Sequence, residues 1–282
     1  MTLRPPAEPP PGPPWDTPLA EAPLAFVDLE LSGLVAERDR VIEVCVERVR
    51  GAQIEDRVAS LVRPEPFAFG NEAIHGIRVS ELQQAPTFAD LSGRILTVLS
   101  GAVLVAHAAH KDVAFLTAEL GRLGVPFEMP FYIDTLSLSR RAFAQKSHGL
   151  VALCKTLGIA HERAHRAEGD VTAMRVLFDR IAGVLSPSTP RDLWHVRVGE
   201  RHARPEVLAA AQQAVEAGEP VLVRYRPSHR GPEDLEMRLT AVRTDLDPPR
   251  VLGYLLASRS RRELRADRVL AIFAAPASKQ TP

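Results

Sequence analysis

Apolar and polar residues alternate with two different periods along residues 24–181, and these periods predict a succession of strands and helices. Short β-branched runs predict strands at residues 24–34, 40–50, 54–62 and 103–106. Apolar stripes at helical spacing predict helices at residues 82–99, 113–123, 150–157 and 167–181. The first three strands follow one another closely and predict a meander. Strands that then alternate with helices are typical of an α/β domain.

A different pattern begins after the proline-rich break at residues 186–190. One helix is predicted at 206–217, followed by short strands at 221–226, 236–243, 251–258 and 268–273. Pro and Ser clusters between periodic segments are typical of linkers. We therefore predict an α/β domain at residues 24–183, a linker at 184–200 and a small, mostly-β domain at 201–275.

Both chain ends are predicted to be disordered, over residues 1–23 and 276–282. Residues 1–23 hold nine of the 24 prolines, which favour extended polyproline II. The longest apolar stretch, residues 95–109, is too short and too interrupted to span a bilayer, and no signal-peptide core precedes it. The two cysteines have neither disulfide nor metal-ligand spacing. These features predict a cytoplasmic protein without a membrane partner.

Two acidic residues interrupt the first predicted strand. Asp28 and Glu30 are two residues apart in a stretch that is otherwise apolar. Because alternate side chains of a strand share a face, both carboxylates project to the same side. Buried carboxylates at this spacing repel each other, and a hard cation such as Mg²⁺ or Mn²⁺ would neutralise them. The alternative is a strand end that opens to water, where both acids are solvated.

Two further acids occupy inward positions on predicted helices. Asp112 leads a stripe that contains Phe115, Leu116 and Leu123. Asp170 leads a stripe that contains Ala173, Met174, Leu177 and Ile181. An acid in a first helical turn also has an ordinary role, since it complements the helix dipole. His165 precedes Asp170 by five residues, so we expect it on the entry loop, either as a surface group or as part of the same site.

The order of these residues resembles the DEDDh family of 3′ to 5′ exonucleases. The resemblance covers about residues 24–182 and is closest to the epsilon-type proofreading members of bacterial DNA polymerase III. It is carried by Asp28-x-Glu30, by Asp112 in Ala-His-Ala-Ala-His-Lys-Asp, and by His165-x-Ala-x-x-Asp170. Further matches are Asp39-Arg-Val-Ile-Glu43, Ile74-His-Gly-Ile77, Ala85-Pro-Thr-Phe88 and Leu157-Gly-Ile159.

The resemblance implies an RNase H-like α/β fold with a mixed sheet flanked by helices. It implies that two Mg²⁺ (or Mn²⁺) ions are held by the four acids Asp28, Glu30, Asp112 and Asp170. It casts His165 as the base that takes a proton from the attacking water, for which an unperturbed imidazole is suited. Nucleoside 5′-monophosphates would leave from a single-stranded or unpaired 3′ end, with DNA favoured over RNA.

Contacts with the terminal nucleotide are less well marked in the sequence. In this family the residues after the second acid touch the substrate, which here are Leu31 and Ser32. His75 could line the same groove or be an exposed turn residue. Two positions depart from the family pattern: Ala108 stands where asparagine is common, and Lys111 stands where phenylalanine is common. Neither departure removes a predicted metal ligand.

The C-terminal region resembles a degenerate WYL domain, a small β-barrel of the Sm or SH3 type. The resemblance rests on residues 220–226, 252–255 and 262–269, with Gly253 in the usual tryptophan position. It implies a nucleotide or nucleic-acid ligand, for which Arg265 and Arg268 are the candidate contacts. Solvated arginines on a strand face are the alternative.

Two other functions remain open at this stage. One is a regulatory protein that keeps the exonuclease scaffold and binds nucleic acid or a nucleotide through its C-terminal domain. The other is an RNA-trimming exoribonuclease with the same chemistry. The chain shows no clamp-binding peptide after residue 183, so the sequence does not support association with a polymerase.

Overall fold

The computed structural model describes residues 8–67, 72–198, 203–227, 231–246 and 248–275. They form two compact units. The first takes the described residues within Met1–Ser139, Gln145–Ile181 and Ser188–Trp194. The second takes those within Arg140–Ala144, Ala182–Pro187 and His195–Pro282. No helix in the described residues is both long enough and apolar enough to cross a bilayer.

The first unit is built on a mixed sheet of five strands. They are β1 (Pro23–Leu31), β2 (Val41–Arg50), β3 (Gln53–Leu61), β4 (Val103–Ala106) and β5 (Ile133–Asp134). Their order is β3-β2-β1-β4-β5, in which β1, β2 and β3 are antiparallel neighbours and β4 and β5 continue parallel to β1. The α/β class, the meander and the mixed sheet are as the sequence predicts.

Strand β1 lies at the centre of this sheet. Leu24 to Val27 are buried on both faces, and the Phe26 ring packs edge-to-face on Phe178 with centroids 5.4 Å apart. Two side chains nearer the end of β1 are less buried, since Asp28 and Glu30 are partly exposed. Pairing with β2 also shifts register after Glu30. The two acids of this apolar strand therefore lie near its end, where its side chains become accessible to solvent.

Helices cover the sheet of the first unit. They are α1 (Glu72–His75), α2 (Val79–Gln84), α3 (Phe88–Leu99), α4 (His110–Arg122), α5 (Thr135–Ala142), α6 (Leu150–Leu157), α7 (Ala167–Leu185) and α8 (Pro190–Val198). The last residues of α5, α7 and α8 belong to the second unit. Val98, Leu104 and Leu116 are among the fully buried side chains of the core that the helices and the sheet share.

The helix predicted at residues 82–99 is two helices. Ala85 has an extended backbone because it precedes Pro86, whose ring disfavours the helical conformation of the preceding residue. Thr87 then caps α3: its hydroxyl accepts a hydrogen bond from the Asp90 backbone at 3.3 Å, and the Asp90 carboxylate accepts one from the Thr87 backbone at 2.9 Å.

A buried ion pair fastens α4 to the sheet. The Arg40 guanidinium donates to both oxygens of Glu119, at 2.8 and 2.7 Å, and both side chains are almost fully buried. The backbone N–H of Val41 donates to the same carboxylate at 3.1 Å. Because two-pronged contacts fix orientation, this pair positions α4, and with it Asp112, against the start of β2.

The structure differs from our expectation for the N-terminal stretch and the linker. Residues 1–7 lie outside the described part, but Trp15 is buried and its ring packs edge-on against Phe131 and Trp194, at 6.5 and 6.2 Å between centroids. Trp194 belongs to α8, which occupies much of the predicted linker at 184–200. Arg191 of α8 also pairs with Asp16 at 2.5 Å. These aromatic contacts order both segments, because a buried tryptophan contributes a large apolar area.

The second unit contains one complete α-helix and an antiparallel sheet. The helix is α9 (Pro205–Ala217), and the strands are β6 (Pro220–Tyr225), β7 (Glu233–Arg243), β8 (Arg250–Leu255), β9 (Arg261–Arg265) and β10 (Val269–Ala274). The strand order is β10-β6-β7-β8-β9. Val223, Met237 and Val251 are fully buried in its core. The predicted mostly-β character is confirmed, whereas the WYL resemblance stays a prediction; the predicted tail at 276–282 lies outside the described residues.

Candidate active site

Three of the four predicted metal ligands meet at one place in the first unit. Asp28 and Glu30 come from the end of β1, and Asp170 comes from the first turn of α7. One carboxylate oxygen of each lies within 4.8 Å of the others. Oxygens at this spacing can share a divalent cation, whose bonds to carboxylates are shorter than 3 Å.

The apolar stripe of α7 brings Asp170 to this point. Asp170 is 9% exposed, and the four residues that follow it on the same stripe are completely buried: Ala173, Met174, Leu177 and Ile181. Because that stripe is buried, the first turn of α7 is held in one orientation, and the Asp170 carboxylate faces β1. The expectation from helical spacing is met at each of these positions.

Asp112 lies beside the cluster of three acids. It is 7% exposed in the first turn of α4, and its negative charge raises the pKa of Asp28. Among the described residues, its oxygens are not part of the group within 4.8 Å. Burial raises the pKa of Asp112 to about 8, although hydrogen bonds from its own backbone and that of Leu29 act in the opposite direction.

The electrostatics of the cluster favour a cation. Burial raises the pKa of Asp28 well above its usual range, and the charges of Asp112, Asp170 and Glu30 raise it further. Burial, Asp170 and Glu43 raise the pKa of Glu30 to about 7. Carboxyl groups in this state are costly to ionise together without a counter-charge. A donor set made only of carboxylate oxygens fits Mg²⁺ or Mn²⁺.

Metal affinity should therefore depend on pH. Protons occupy these carboxyls below about pH 7 to 8 and compete with the cation, so we expect Mn²⁺ affinity to rise by about tenfold or more between about pH 6 and about pH 8. Titration calorimetry in two buffers of different ionisation enthalpy should show proton release on binding. Affinity that is flat with pH, with no proton release, would contradict the assignment.

His165 lies on the loop before α7 and is exposed. Its backbone has φ 62°, and its N–H donates to Asp170 Oδ1 at 3.2 Å. The next residue, Arg166, donates to both oxygens of Glu43 on β2, with the shortest contact at 2.9 Å, and Ala167 N–H donates to Glu43 at 3.0 Å. The loop that carries His165 is thus fastened both to the acid cluster and to the sheet.

His161 is a site residue that we did not expect. Its side chain is 6% exposed, and its Nε2 lies 2.6 Å from Asp170 Oδ1. Its Nδ1 is buried and has no hydrogen-bond partner among the described residues. The imidazole therefore fixes one oxygen of Asp170. The only signal in the sequence is a second histidine four residues before His165, which does not reveal this contact.

Asp134 organises the start of the helix that carries Asp112. Its Oδ1 accepts hydrogen bonds from the backbone N–H groups of Ala108 and Leu136, at 2.9 and 3.2 Å, and its Oδ2 accepts one from Ser137 at 2.5 Å. Neither β5 nor α5 was predicted, because β5 is two residues long and α5 is mostly polar. The local signal was Ile133-Asp-Thr, an acid directly after two apolar and aromatic residues.

Ala108 has a left-handed backbone with φ 64°, which is strained for alanine. This gives a physical reason why asparagine, which tolerates that conformation, is common there in the family that the sequence resembles. We expect Ala108→Gly to raise the free energy of unfolding by about 0.5 to 1 kcal/mol. The same change at Ala114, exposed on α4, should lower it by about 1 kcal/mol. Urea denaturation of both variants measures the difference; a loss of stability at both positions would contradict the prediction.

The three residues that were predicted to contact substrate lie in partly or fully buried positions. Leu31 is partly buried and packs against the core of the first unit. The Ser32 hydroxyl accepts a hydrogen bond from Arg40 N–H at 2.9 Å. His75 is buried, and its Nδ1 accepts a hydrogen bond from Ile77 N–H at 3.0 Å. Lys111 is exposed, and its charge lowers the pKa of Asp112. The substrate contacts of Leu31, Ser32 and His75 remain predictions.

Known proteins resemble the first unit. The chain is 34% identical over 177 residues to a DNA polymerase III subunit epsilon-like protein of Rhodobacter capsulatus. The aligned segment covers 60% of this chain and 25% of that protein. It is 28% identical over 172 residues to a PolC-type DNA polymerase III of Thermotoga maritima, covering 60% of this chain and 12% of that protein. The chain thus spans a quarter or less of these relatives.

A solved structure supports the fold. Escherichia coli exonuclease I in complex with a dA16 oligonucleotide superposes with a TM-score of 0.52 at 13% identity, over 90% of this chain and 65% of that one. A family model described as "Exonuclease" matches residues 25–178, a segment that contains the four acids and His165. Because that segment is more than half of the sequence, the chain belongs to this exonuclease family.

Proposed function

We propose that this chain is a divalent-metal-dependent exonuclease that removes nucleoside 5′-monophosphates from the 3′ end of DNA. The observation that carries the proposal is the convergence of Asp28, Glu30 and Asp170 within 4.8 Å, with buried Asp112 beside them. Because the chain belongs to the exonuclease family, a nuclease site is the function that this cluster best supports. A binding protein would gain nothing from carboxylates that repel one another.

The four acids share one role in this proposal, which is to hold metal ions. Asp28, Glu30, Asp112 and Asp170 would hold two Mg²⁺ or Mn²⁺ ions, and their oxygens would set where the scissile phosphate sits. When bound, such ions stabilise the attacking and leaving oxygens of an in-line displacement at phosphorus. The raised pKa values of Glu30 and Asp112 mean that these groups give up protons as they take up the cation.

His165 is the proposed general base. It would accept the proton of the attacking water at an imidazole nitrogen and release it to solvent. Its exposed position supports this role, because a base that turns over must exchange protons with water. The contacts of Arg166 and of the His165 backbone keep the loop within reach of Asp170.

His161 is a positioning residue in this scheme, since it touches Asp170 rather than substrate. We expect His161→Ala to weaken Mn²⁺ binding about 10-fold to 100-fold, the usual effect of removing a hydrogen bond to a metal ligand. His161→Gln, whose amide nitrogen can replace Nε2, should recover most of the affinity. Calorimetry measures both, and circular dichroism checks the fold. Equal affinity in wild type and His161→Ala would exclude the positioning role.

The proposal that the substrate is DNA is tested by competition. Its support is that the two relatives described above are named as DNA polymerase III proteins. Single-stranded DNA, duplex DNA with an unpaired 3′ end and a short RNA, each labelled at the 5′ end, are mixed at equal concentration with the protein and Mg²⁺. We expect both DNA substrates to shorten at least about tenfold faster than RNA. Faster RNA degradation would identify an exoribonuclease, and binding without turnover would identify a regulatory binder.

A further inference from the structure

The second unit contains a buried arginine, Arg226, and the carboxylate that attracts it, Asp267, is already held by Arg265. Arg226 directly follows β6 and is 9% exposed. Its backbone N–H donates to the carbonyl oxygen of Arg268 at 2.9 Å. Its guanidinium Nε is completely buried and has no hydrogen-bond partner, and within the described parts of the chain no carboxylate forms an ion pair with it.

Other arginines of this unit do have carboxylate partners. Four pairs lie at 2.6 to 3.3 Å: Arg224 with Asp234, Arg243 with Asp245, Arg250 with Glu263, and Arg265 with Asp267. Arg265, one of the two arginines that the sequence offered for an anionic ligand, is therefore held by Asp267 through two hydrogen bonds. Arg226 was not a candidate, because burial cannot be read from a strand end in the sequence.

The positive charges of two other arginines act on Arg226. Burial and the positive charges of Arg141 and Arg268 lower the pKa of Arg226 to about 10, so the group still carries its charge at neutral pH. Arg141 belongs to the segment Arg140–Ala144 of the same unit. The side chain of Arg141 likewise has no hydrogen bond or ion pair with any residue in the described part of the chain. The carboxylate of Asp267 attracts Arg226, but it accepts two hydrogen bonds from Arg265, so positive charge is in excess around Arg226.

A close backbone contact holds this segment near the sheet. A Cβ atom at Gly231 would lie 3.3 Å from the carbonyl oxygen of Ala142 and 3.4 Å from the amide nitrogen of Ala144. A larger residue than glycine would push the two segments apart. Backbone packing therefore holds the segment that carries Arg141 against the loop that precedes β7.

We propose that Arg226 and Arg141, flanked by Arg268, bind the phosphate group of a small phosphate monoester. Guanidinium groups match phosphate oxygens in pairs, and a buried guanidinium without a partner is costly unless a ligand supplies the missing charge. A phosphate dianion would offset the excess positive charge of Arg226, Arg141 and Arg268. Because Arg226 is 9% exposed, a compact terminal phosphate reaches it more readily than the backbone of a nucleic-acid strand does.

The test uses the full-length chain in EDTA, which keeps metal-dependent binding at the acidic cluster out of the measurement. Inorganic phosphate and deoxyadenosine 5′-monophosphate are titrated by calorimetry into wild type, Arg226→Gln, Arg141→Gln and the control Arg243→Gln. We expect about one ligand per chain, at least about tenfold weaker binding in the first two variants, and no change in the control, since Arg243 is exposed and paired with Asp245. Tighter binding of the nucleotide than of phosphate would add a nucleoside contact to the same site.

Thermal unfolding shows whether a variant that fails to bind phosphate is still folded. Arg226→Gln removes a buried charge, so the variant without ligand should melt at a temperature no lower than wild type. Phosphate should raise the melting temperature of wild type and of Arg243→Gln, but not that of Arg226→Gln. Absence of binding in wild type, or unchanged binding in a folded Arg226→Gln, would overturn the proposal. So would binding of an oligonucleotide that lacks terminal phosphates but not of either small ligand, because the site would then recognise a nucleic-acid strand.

Discussion

Asp28→Asn is expected to abolish nuclease activity while making the metal-free protein more stable. The variant loses a metal ligand, for which we expect a fall in turnover of about 100-fold or more. It also removes one of several carboxyls that repel each other in a buried site, where the charges of Asp112, Asp170 and Glu30 raise the pKa of Asp28. The free energy of unfolding of the metal-free variant near pH 8 should therefore exceed that of metal-free wild type.

The pH dependence of this stability has a definite sign. Carboxyls whose pKa is raised in the folded state bind more protons there than in the unfolded chain. Their contribution is intact below about pH 4 and is lost as the pH rises through about 7 to 8, the pKa values of Glu30 and Asp112. Metal-free wild type should therefore lose stability over this range more steeply than Asp28→Asn.

Urea denaturation with EDTA and with Mg²⁺ measures both effects. Mg²⁺ should stabilise wild type and have little effect on Asp28→Asn. A matched control is Asp56→Asn, because Asp56 is a partly exposed acid paired with Arg94 on the surface at 2.6 Å. The control should keep both its activity and its response to Mg²⁺. An active Asp28→Asn, or a variant destabilised at every pH, would contradict a repulsive metal-binding cluster.

His165→Ala is expected to lower turnover by about 10² to 10⁴, the usual contribution of a positioned general base. Binding of Mn²⁺ and of a single-stranded 3′ end should remain close to wild type, because the loop is held by the His165 backbone and by Arg166 rather than by the imidazole. Single-turnover rates at saturating Mn²⁺ separate the chemical step from binding.

The control for this variant is His110→Ala, an exposed histidine on α4 that takes no part in the proposed chemistry. It should turn over at the wild-type rate. If His165→Ala were equally active, the four acids would remain candidate metal ligands and His165 would lose its place as the base. If the variant lost Mn²⁺ binding as well, the imidazole would serve the metal site instead.

Residues with strong local patterns could be predicted from the sequence. Strand alternation placed Asp28 and Glu30 on one face, and helical spacing placed Asp170 above four side chains that are completely buried. The stripe of Asp112 was correct for Phe115 and Leu116 but not for Leu123, which is 41% exposed because α4 ends at Arg122.

Features that depend on distant contacts could not be predicted. The contact of His161 with Asp170 exists only after the loop folds back on α7. Trp15 becomes ordered through Phe131 and Trp194, which are far away in the sequence. Asp134 holds the first residues of α4 from a strand only two residues long. In each case tertiary packing, not local propensity, determines the structure.

The most direct test of a metal-dependent 3′ to 5′ exonuclease is the identity of the first product. Single-stranded DNA with a 5′ label is incubated with the full-length chain and Mg²⁺, and the products are followed by gel and by mass spectrometry. We expect the labelled strand to shorten one nucleotide at a time from its 3′ end, with deoxynucleoside 5′-monophosphates as the first small products and none in EDTA or with Asp28→Asn. Internal cleavage, release of the 5′ label first, or hydrolysis that persists in EDTA would contradict this function.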